Sequence, residues 1–382
     1  ARVLAAATVL PSELVPLARA AGRVTSSPAL ARVDLPPFAS SAMDGFAVRA
    51  ADTPGTLAVV GEAAAGSPSH RTLAAGEAIA ISTGGVVPDG ADAVVPIENV
   101  VQNGNSVAAE EVDAGAHVRP RAGDVGTGDP VIAAGVRLGP AQLGALAAAG
   151  VAEVECTRRP RVAVLATGTE LVTPGTPLGP GQVYEANALM LTAALASVGA
   201  DVEELPPAAD DEASHRAALE RGLAADVLVT SGGVSVGPHD LVRRVEAELG
   251  VEEVFWQVAM RPGKPVAFGV RGPTLVFGLP GNPVSSLVGC EVFVKPAVRA
   301  LQGLADPLPV FESGRLASPI RRNPARDDFV RAVVSAGSVL MPLAGQESHM
   351  IVHAAAANAL VHVERGEGEV SAGADVRWLP LG

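Results

Sequence analysis

The sequence predicts a multidomain α/β protein. A parallel three-layer α/β domain is joined by an inserted β-rich domain, a discontinuous linking unit and a small C-terminal β-barrel-like domain. Three observations point there. The chain of 382 residues is too long for one ordinary domain. From Pro160 onward, continuous apolar segments alternate with helical ones, as in a parallel sheet covered on both faces. On either side of that region, short β-rich pieces lie between Gly/Pro turns.

Taken in order, residues 1–25 show helical spacing, with Ser12 and Glu13 after Pro11 as a helix start. From about 34 to 120, pieces such as Leu57 to Val60, Ala78 to Ser82 and Ala93 to Ile97 predict strands of a small β-domain. Residues 138–151 are helical again. The expected division is therefore a linking unit of 1–25 plus 121–156 around an insert of 26–120. The α/β domain, 157–304, begins with a strand from Arg161 to Ala166. A helix from Ala186 to Val198, a strand from Asp201 to Leu205 and a helix from Glu212 to Leu223 follow. Next come a strand from Asp226 to Thr230 and a helix from Pro238 to Leu249. Two further strands, Pro265 to Val270 and Leu275 to Gly278, lead into one helix from Pro283 to about Leu301. Residues 305–382 carry only short β-patterned stretches such as Leu360 to Glu364 and Asp375 to Leu379.

Composition narrows the function. With 28 Lys+Arg against 41 Asp+Glu, the net charge of −13 opposes sequence-independent nucleic-acid binding, which needs cations to displace counterions. An anionic ligand then requires a local cation cluster or a helix N-terminus. Two cysteines, Cys156 and Cys290, form neither a disulfide framework nor a thiolate zinc site within the chain. No apolar run approaches the ~20 residues of a membrane span, and the alanine-rich start lacks the regions of a signal peptide. A cytoplasmic protein with neither membrane nor nucleic acid as partner is expected.

The chemistry concentrates in loops that follow the α/β strands, where open sheets bind ligands. Ser231-Gly232-Gly233-Val234-Ser235-Val236-Gly237-Pro238-His239-Asp240 follows a buried strand, and Pro238 suits the first turn of a helix. Its backbone N–H groups can cradle a phosphate or oxyanion, although the same glycines could simply make a tight turn. It has neither Walker A nor Rossmann spacing. Gly233-Val234-Ser235-Val236-Gly237 matches a nucleophile elbow, yet extra residues separate Ser235 from the strand and no convincing acid and histidine follow. Thr167-Gly168-Thr169-Glu170 opens at the same edge, bringing Glu170 toward Asp240, and Asp210 and Asp211 after a third strand could join them. Carboxylates around a phosphate cradle suggest Mg²⁺, while each alone suits a helix cap or turn equally well. Arg261 and Lys264 in Arg261-Pro262-Gly263-Lys264-Pro265 offset that charge. Pro280, Gly281 and Asn282 end another strand, with Asn282 as helix cap or ligand contact. Upstream, Asp44 precedes a glycine between apolar flanks and by itself could mark only a turn, Thr83-Gly84-Gly85 and Gly90-Ala91-Asp92-Ala93 resemble ligand-facing loops, and Arg119 and Arg121 make a basic pair. His349 and His353 lack a third ligand and suit packing or surface positions.

Pro36-Pro37-Phe38…Met43-Asp44-Gly45, Thr83-Gly84-Gly85…Gly90-Ala91-Asp92-Ala93-Val94-Val95, Thr167-Gly168-Thr169-Glu170-Leu171, the Ser231 to Asp240 loop, Arg261 to Pro265 and Gly278 to Ser285 occur in one order. In that order they resemble the molybdopterin molybdenumtransferase family, the MoeA and gephyrin E-domain proteins, over nearly the whole chain. The resemblance implies four domains per subunit and an elongated homodimer. Its active site lies in a cleft between the α/β domain of one subunit and the β-insert of the other. The implied reaction places molybdate in the dithiolene of adenylylated molybdopterin and releases AMP, with Mg²⁺ required. The implied functional acids are Asp44, Glu170, Asp210 or Asp211, and Asp240, with Thr83, Arg121 and Ser348 as further matched positions. The Ser231 to Asp240 loop would hold pterin or adenylate phosphate. The upstream adenylyltransferase and downstream molybdoenzyme chaperones are implied partners. The sequence departs from the family pattern at Ala39-Ser40, where Asp-Asn is frequent, at Phe46, where Tyr is, and at Arg261, where Lys is. The adenylyltransferase itself, whose fold the α/β domain also resembles, and a non-catalytic scaffold are the alternative readings.

Overall fold

The computed structural model describes residues 1–208, 211–233 and 241–381. Its centre is a six-stranded sheet in the order Asp201–Ala208, Arg161–Thr167, Val227–Ser231, Thr274–Leu279, Ala267–Arg271, Glu252–Trp256. The first four strands are parallel and the last two antiparallel. The sheet is thus mixed rather than wholly parallel, for a local reason. Arg271 pairs with Thr274, so Gly272 (φ 55°) and Pro273 form a two-residue turn, too short for the crossover that a parallel neighbour needs. Alternating side chains fill both faces. Val162, Val164, Val229 and Phe277 pack with Leu191, Leu195 and Val298 on one side, and Ala163, Leu165 and Leu228 pack with Leu219 and Val245 on the other. Helices Asn187–Ala196, Glu212–Gly222 and Leu241–Glu248 lie within the predicted segments. The helix expected from Pro283 to Leu301 is interrupted by a π segment, Cys290–Val294, between Pro283–Gly289 and Lys295–Leu301. Pro296 has no N–H for the preceding turn and crowds its carbonyl, which a widened turn relieves.

The N-terminal stretch departs furthest from its pattern. Instead of a helix from Ser12, the chain makes a short helix, Arg2–Ala6, and a strand, Ser12–Pro16, paired antiparallel with Glu153–Thr157. Pro16 would stand inside the expected helix, where its ring and missing N–H are costly; at the end of a paired strand neither matters. Val15, Ala20 and Ala29 share a core with Leu138, Leu146 and Val154, joining sequence from both sides of the β-rich segment. The first helix sits elsewhere, with Val3 packed against Ala297, Val298 and Leu301 of the α/β core.

Between those pieces lies a second six-stranded sheet: Ala93–Pro96, Gly45–Val48, Glu77–Ile81, Gly55–Ala63, Ser106–Ala109, Val100–Asn103. Phe46, Val48 and Val95 face one apolar cluster, and Ala47, Ile79 and Val94 face the other. The C-terminal strands close on themselves. Asp327–Ser335, Val339–Pro342, Glu312–Leu316, Asp375–Pro380 and Ala359–Val363 run in a ring whose last member pairs back to the first, around Val330, Leu340, Val361 and Trp378. The α/β unit reaches this barrel through Met260–Arg261, which pairs with Asp327 and Asp328. Met260, Val284 and Val288 seal the junction against Phe329, Leu360 and Leu379.

Candidate active site

Three parallel strands end level at one edge of the α/β sheet, since Ala166 pairs with Ser231 and Ser231 with Leu279. Beyond each end lies a glycine turn. A Cβ on Gly232 (φ 96°) would fall 2.7 Å from Thr167 Oγ1 and 2.9 Å from the Thr167 carbonyl. Only glycine lets the two loops meet so closely. Gly281 sits against the same point, its virtual Cβ 3.7 Å from the Gly232 Cα. Asn187 ties the loops together: its Nδ2 donates to Ser231 Oγ (2.9 Å) and to the Gly281 carbonyl (2.7 Å). The Ser231 hydroxyl also lies 3.2 Å from Ser286 Oγ, which donates to the Pro280 carbonyl. Glu170 folds back over Gly168, where an added Cβ would touch its carboxylate at 2.4 Å, and that exposed carboxylate has no ion pair among the described residues.

Next to this edge opens a cleft of about 570 Å³ between the α/β unit and the barrel. One wall carries Arg261, Lys264, Pro280 and Asn282, and the other carries Arg326, Ser348 and His349. Asn282 precedes the Pro283–Gly289 helix, but its side chain makes no cap; its amide donates to Ser348 Oγ (2.9 Å) across the cleft. Asn282 thus serves no cap, and its side chain bridges the two walls. Arg331 holds the far wall. Buried on the Asp327–Ser335 strand, its guanidinium donates to the carbonyls of Gly345 (2.6 Å), Met350 (2.9 Å) and Glu347 (3.2 Å). The Gln346 amide completes the hold by donating to the Arg331 carbonyl (2.9 Å). Arg261 forms an ion pair with Asp328, whose carboxyl is pushed up by burial against the opposing pull of Arg261.

The remaining predicted residues lie in other places. Asp44 and Thr83 are neighbours on the insert, where Asp44 Oδ1 accepts the Thr83 N–H (2.8 Å). Gly45 lets its strand close up there, since a Cβ would come within 2.1 Å of the Val95 carbonyl oxygen. Arg121 pairs with Asp34, whose carboxyl is held down at about 2 by N–H and hydroxyl donation from Thr127 and then by Arg121. Among the described residues, no hydrogen bond or ion pair joins these three groups to the cleft. Asp211 caps the Glu212–Gly222 helix, accepting from Ser214 N (2.8 Å) and Ser214 Oγ (2.6 Å). No cluster of three His, Cys, Asp or Glu suited to a metal occurs among the described residues. Asp210, Ser235, Gly237 and Asp240 lie outside the described residues.

Sequence reasoning missed Asn187, Arg326 and Arg331. Asn187 opens an apolar helix, which reads as a cap, and nothing local marks Arg326 or Arg331 as facing the turn at 345–350.

Sequence models of the MoeA N-terminal region (domain I and II), a probable molybdopterin binding domain and the MoeA C-terminal region (domain IV) match residues 1–150, 163–300 and 313–381. Molybdopterin molybdenumtransferase 2 of Mycobacterium tuberculosis H37Rv is 40% identical, over 96% of this chain and 94% of that protein. The molybdopterin molybdenumtransferase of Haemophilus influenzae is 36% identical, over 97% of this chain and 94% of that one. The crystal structure of the molybdopterin biosynthesis MoeA protein from Pyrococcus horikoshii OT3 superposes with a TM-score of 0.87 at 25% identity, covering 99% of this chain and 97% of that one. With three family regions in order and such identity along nearly the whole chain, this protein belongs to the molybdopterin molybdenumtransferase (MoeA) family.

Proposed function

We propose that the chain is a molybdopterin molybdenumtransferase, placing molybdate in the dithiolene of adenylylated molybdopterin with release of AMP. The observation that carries this reading is the cleft beside the glycine-lined sheet edge. There Arg261, Lys264 and Arg326 supply positive charge on an otherwise acidic protein, and Ser348 and Asn282 supply neutral donors. Tetrahedral oxyanions are bound by such a mixture, with arginine forking onto two oxygens and lysine acting as a point charge. The Thr167-Gly168 and Ser231 to Gly233 loops would take the pterin or adenylate phosphate, with Ser235 and Gly237 continuing that cradle.

Mg²⁺ belongs to the proposal as well. Glu170 suits it, because a solvent-facing carboxylate without an ion pair is the hard oxygen donor that Mg²⁺ prefers. Asp211 suits it poorly, since both its oxygens serve the helix cap. Asp210 and Asp240 would complete the set. When bound, the cation would neutralise phosphate oxygens and favour departure of AMP. Asp44, Thr83 and Arg121 would enter from the insert of a second copy, making a homodimer the working unit. The linking unit 1–25 plus 121–156, the insert 26–120, the α/β domain 157–304 and the barrel domain 305–382 are the proposed domains. Among the described residues no helix is long and apolar enough to cross a membrane, and we place the reaction in the cytoplasm.

The test incubates purified protein with adenylylated molybdopterin, Mg²⁺ and micromolar molybdate, and follows AMP release beside Asp44→Ala. Molybdate-dependent release that falls at least about a hundredfold in the variant, the scale of losing one electrostatic group, supports the reading. No release from folded native protein overturns it in favour of the adenylyltransferase or scaffold alternatives.

A further inference from the structure

We infer that Asp328 is a positioning residue for oxyanion capture: from the barrel strand it fixes the Arg261 guanidinium so that the remaining N–H groups of that arginine meet molybdate in the cleft. The inference rests on the functional reading above, and it concerns a residue that does not line the cleft itself.

The placement comes from strand register. Met260–Arg261 runs parallel to Asp327–Ser335 with Arg261 opposite Asp328, while the other side of Asp328 is covered by Val363 of the neighbouring strand. The ion pair that results is lopsided. The Asp328 side chain is 2% exposed and the Arg261 side chain 54% exposed, so a rigid anion grips a cation whose head reaches solvent. Guanidinium carries five N–H donors in a fixed planar fork. The bond to Asp328 employs Nη2 and leaves the others for a ligand, something a single ammonium could not do with the same geometry.

A purely structural account of the pair explains less. Asp328 Oδ1 is buried and has no hydrogen-bond partner among the described residues. Burying a carboxylate with one oxygen unpaired costs stability, and apolar residues commonly replace such a pair without loss. The charges nearest Asp328 are Arg261 from the adjoining strand, Asp327 from its own and Arg326 just before it; Arg326, which has no ion pair among the described residues, also lines the cleft. The opposite possibility is equally definite. If Asp328 mainly cancelled the charge of Arg261, removing it would strengthen the hold on a dianion, so the sign of the effect decides between orientation and neutralisation.

The experiment measures KM for molybdate, KM for adenylylated molybdopterin, kcat for AMP release and thermal midpoints. The proteins are native, Asp328→Asn, Arg261→Gln and the double variant. The expected result for Asp328→Asn is a rise of about tenfold in KM for molybdate, equivalent to losing one charge-assisted hydrogen bond. The other KM stays unchanged and kcat stays within about twofold, since the lost hold acts on capture of the oxyanion. In the Arg261→Gln background the same change should add nothing, because its route of action is gone. Should Asp328→Asn not fold, Asp328→Ser takes its place in the same scheme. A lowered or unchanged KM for molybdate, a parallel fall in kcat and thermal midpoint, or an undiminished effect in the Arg261→Gln background would each overturn the inference. Native protein that releases no AMP would overturn the functional reading itself, and this inference with it.

Discussion

Asp34 and Gly45 show how single positions set the insert. Thr127 donates to Asp34 through both N–H and hydroxyl, and these bonds, more than the exposed Arg121, hold the carboxyl at about 2. A carboxyl whose folded value lies below its unfolded one favours the fold at every pH above the unfolded value. That contribution then fades as pH falls through the folded value. We therefore expect Thr127→Val to move the Asp34 midpoint upward toward the ordinary carboxylate range, measured by carbon NMR titration of the side-chain carboxyl. The local fold would then loosen at a correspondingly higher pH. Gly45 is a steric case. Gly45→Ala would drive Cβ into the Val95 carbonyl, and we expect a loss of about 3 kcal/mol in urea unfolding, at the upper end for overpacking. Gly45 stands in a run whose acid and glycine were visible in the sequence, whereas nothing there marked Asp34. Their partners, Thr127 and Val95, became apparent only when distant strands were brought together.

At the scale of elements, the Asp327–Ser335 strand does the most to shape the cleft. Arg331 satisfies three carbonyls of the 345–350 turn, and Arg331→Leu would leave those partly buried acceptors without that donor. The expected outcome is selective: faster amide hydrogen exchange across 345–350, with protection of the barrel strands largely kept. A fall in AMP release should accompany it as Ser348 loses its register with Asn282. Uniform loss of protection over the whole barrel would contradict this account. The strands and helices of the α/β unit were legible because long apolar runs dictate them. Two elements were not. Ser12–Pro16 carries a helix-compatible pattern, yet its pairing with Glu153–Thr157 decides its form, and that partner lies over 130 positions away. The Glu252–Trp256 strand escaped notice because two acids followed by only three apolar residues make too short a run to stand out at a sheet border. For the site, glycine turns and the Arg261 to Pro265 loop announced themselves, whereas Arg326 and Arg331 looked like ordinary strand arginines.

For the whole molecule, charge is the telling quantity. A protein with a net charge of −13 repels molybdate at long range, and in the cleft Arg261, Lys264 and Arg326 oppose that field, with Glu347 as the acid among the lining residues. Salt screens the long-range repulsion first, as the screening length falls from about 10 Å at 0.1 M to about 3 Å at 1 M, while its anions compete with molybdate for the solvent-facing cations of the cleft. The expectation is that KM for molybdate rises severalfold over that range while kcat changes little. A KM that fell with salt would mean that the net charge, not the cleft, governs capture. The proposed homodimer is checked by light scattering after gel filtration, where a single-subunit mass under turnover conditions would be the contrary result.

The borders of the central sheet bear on that assembly. Its outermost strands each have one neighbour, yet one carries Glu203, Glu204, Pro206 and Pro207 and the other Glu252 and Glu253. Proline cannot donate to an incoming strand, and like charges brought side by side repel, so neither border invites a second sheet to continue it. The five strands of the barrel close into a ring, which leaves only the two-residue Met260–Arg261 strand at an end of that sheet. At these two units copies of this chain are steered away from stacking edge to edge into fibres and toward contacts made by side chains, which are the kind that can stop at two.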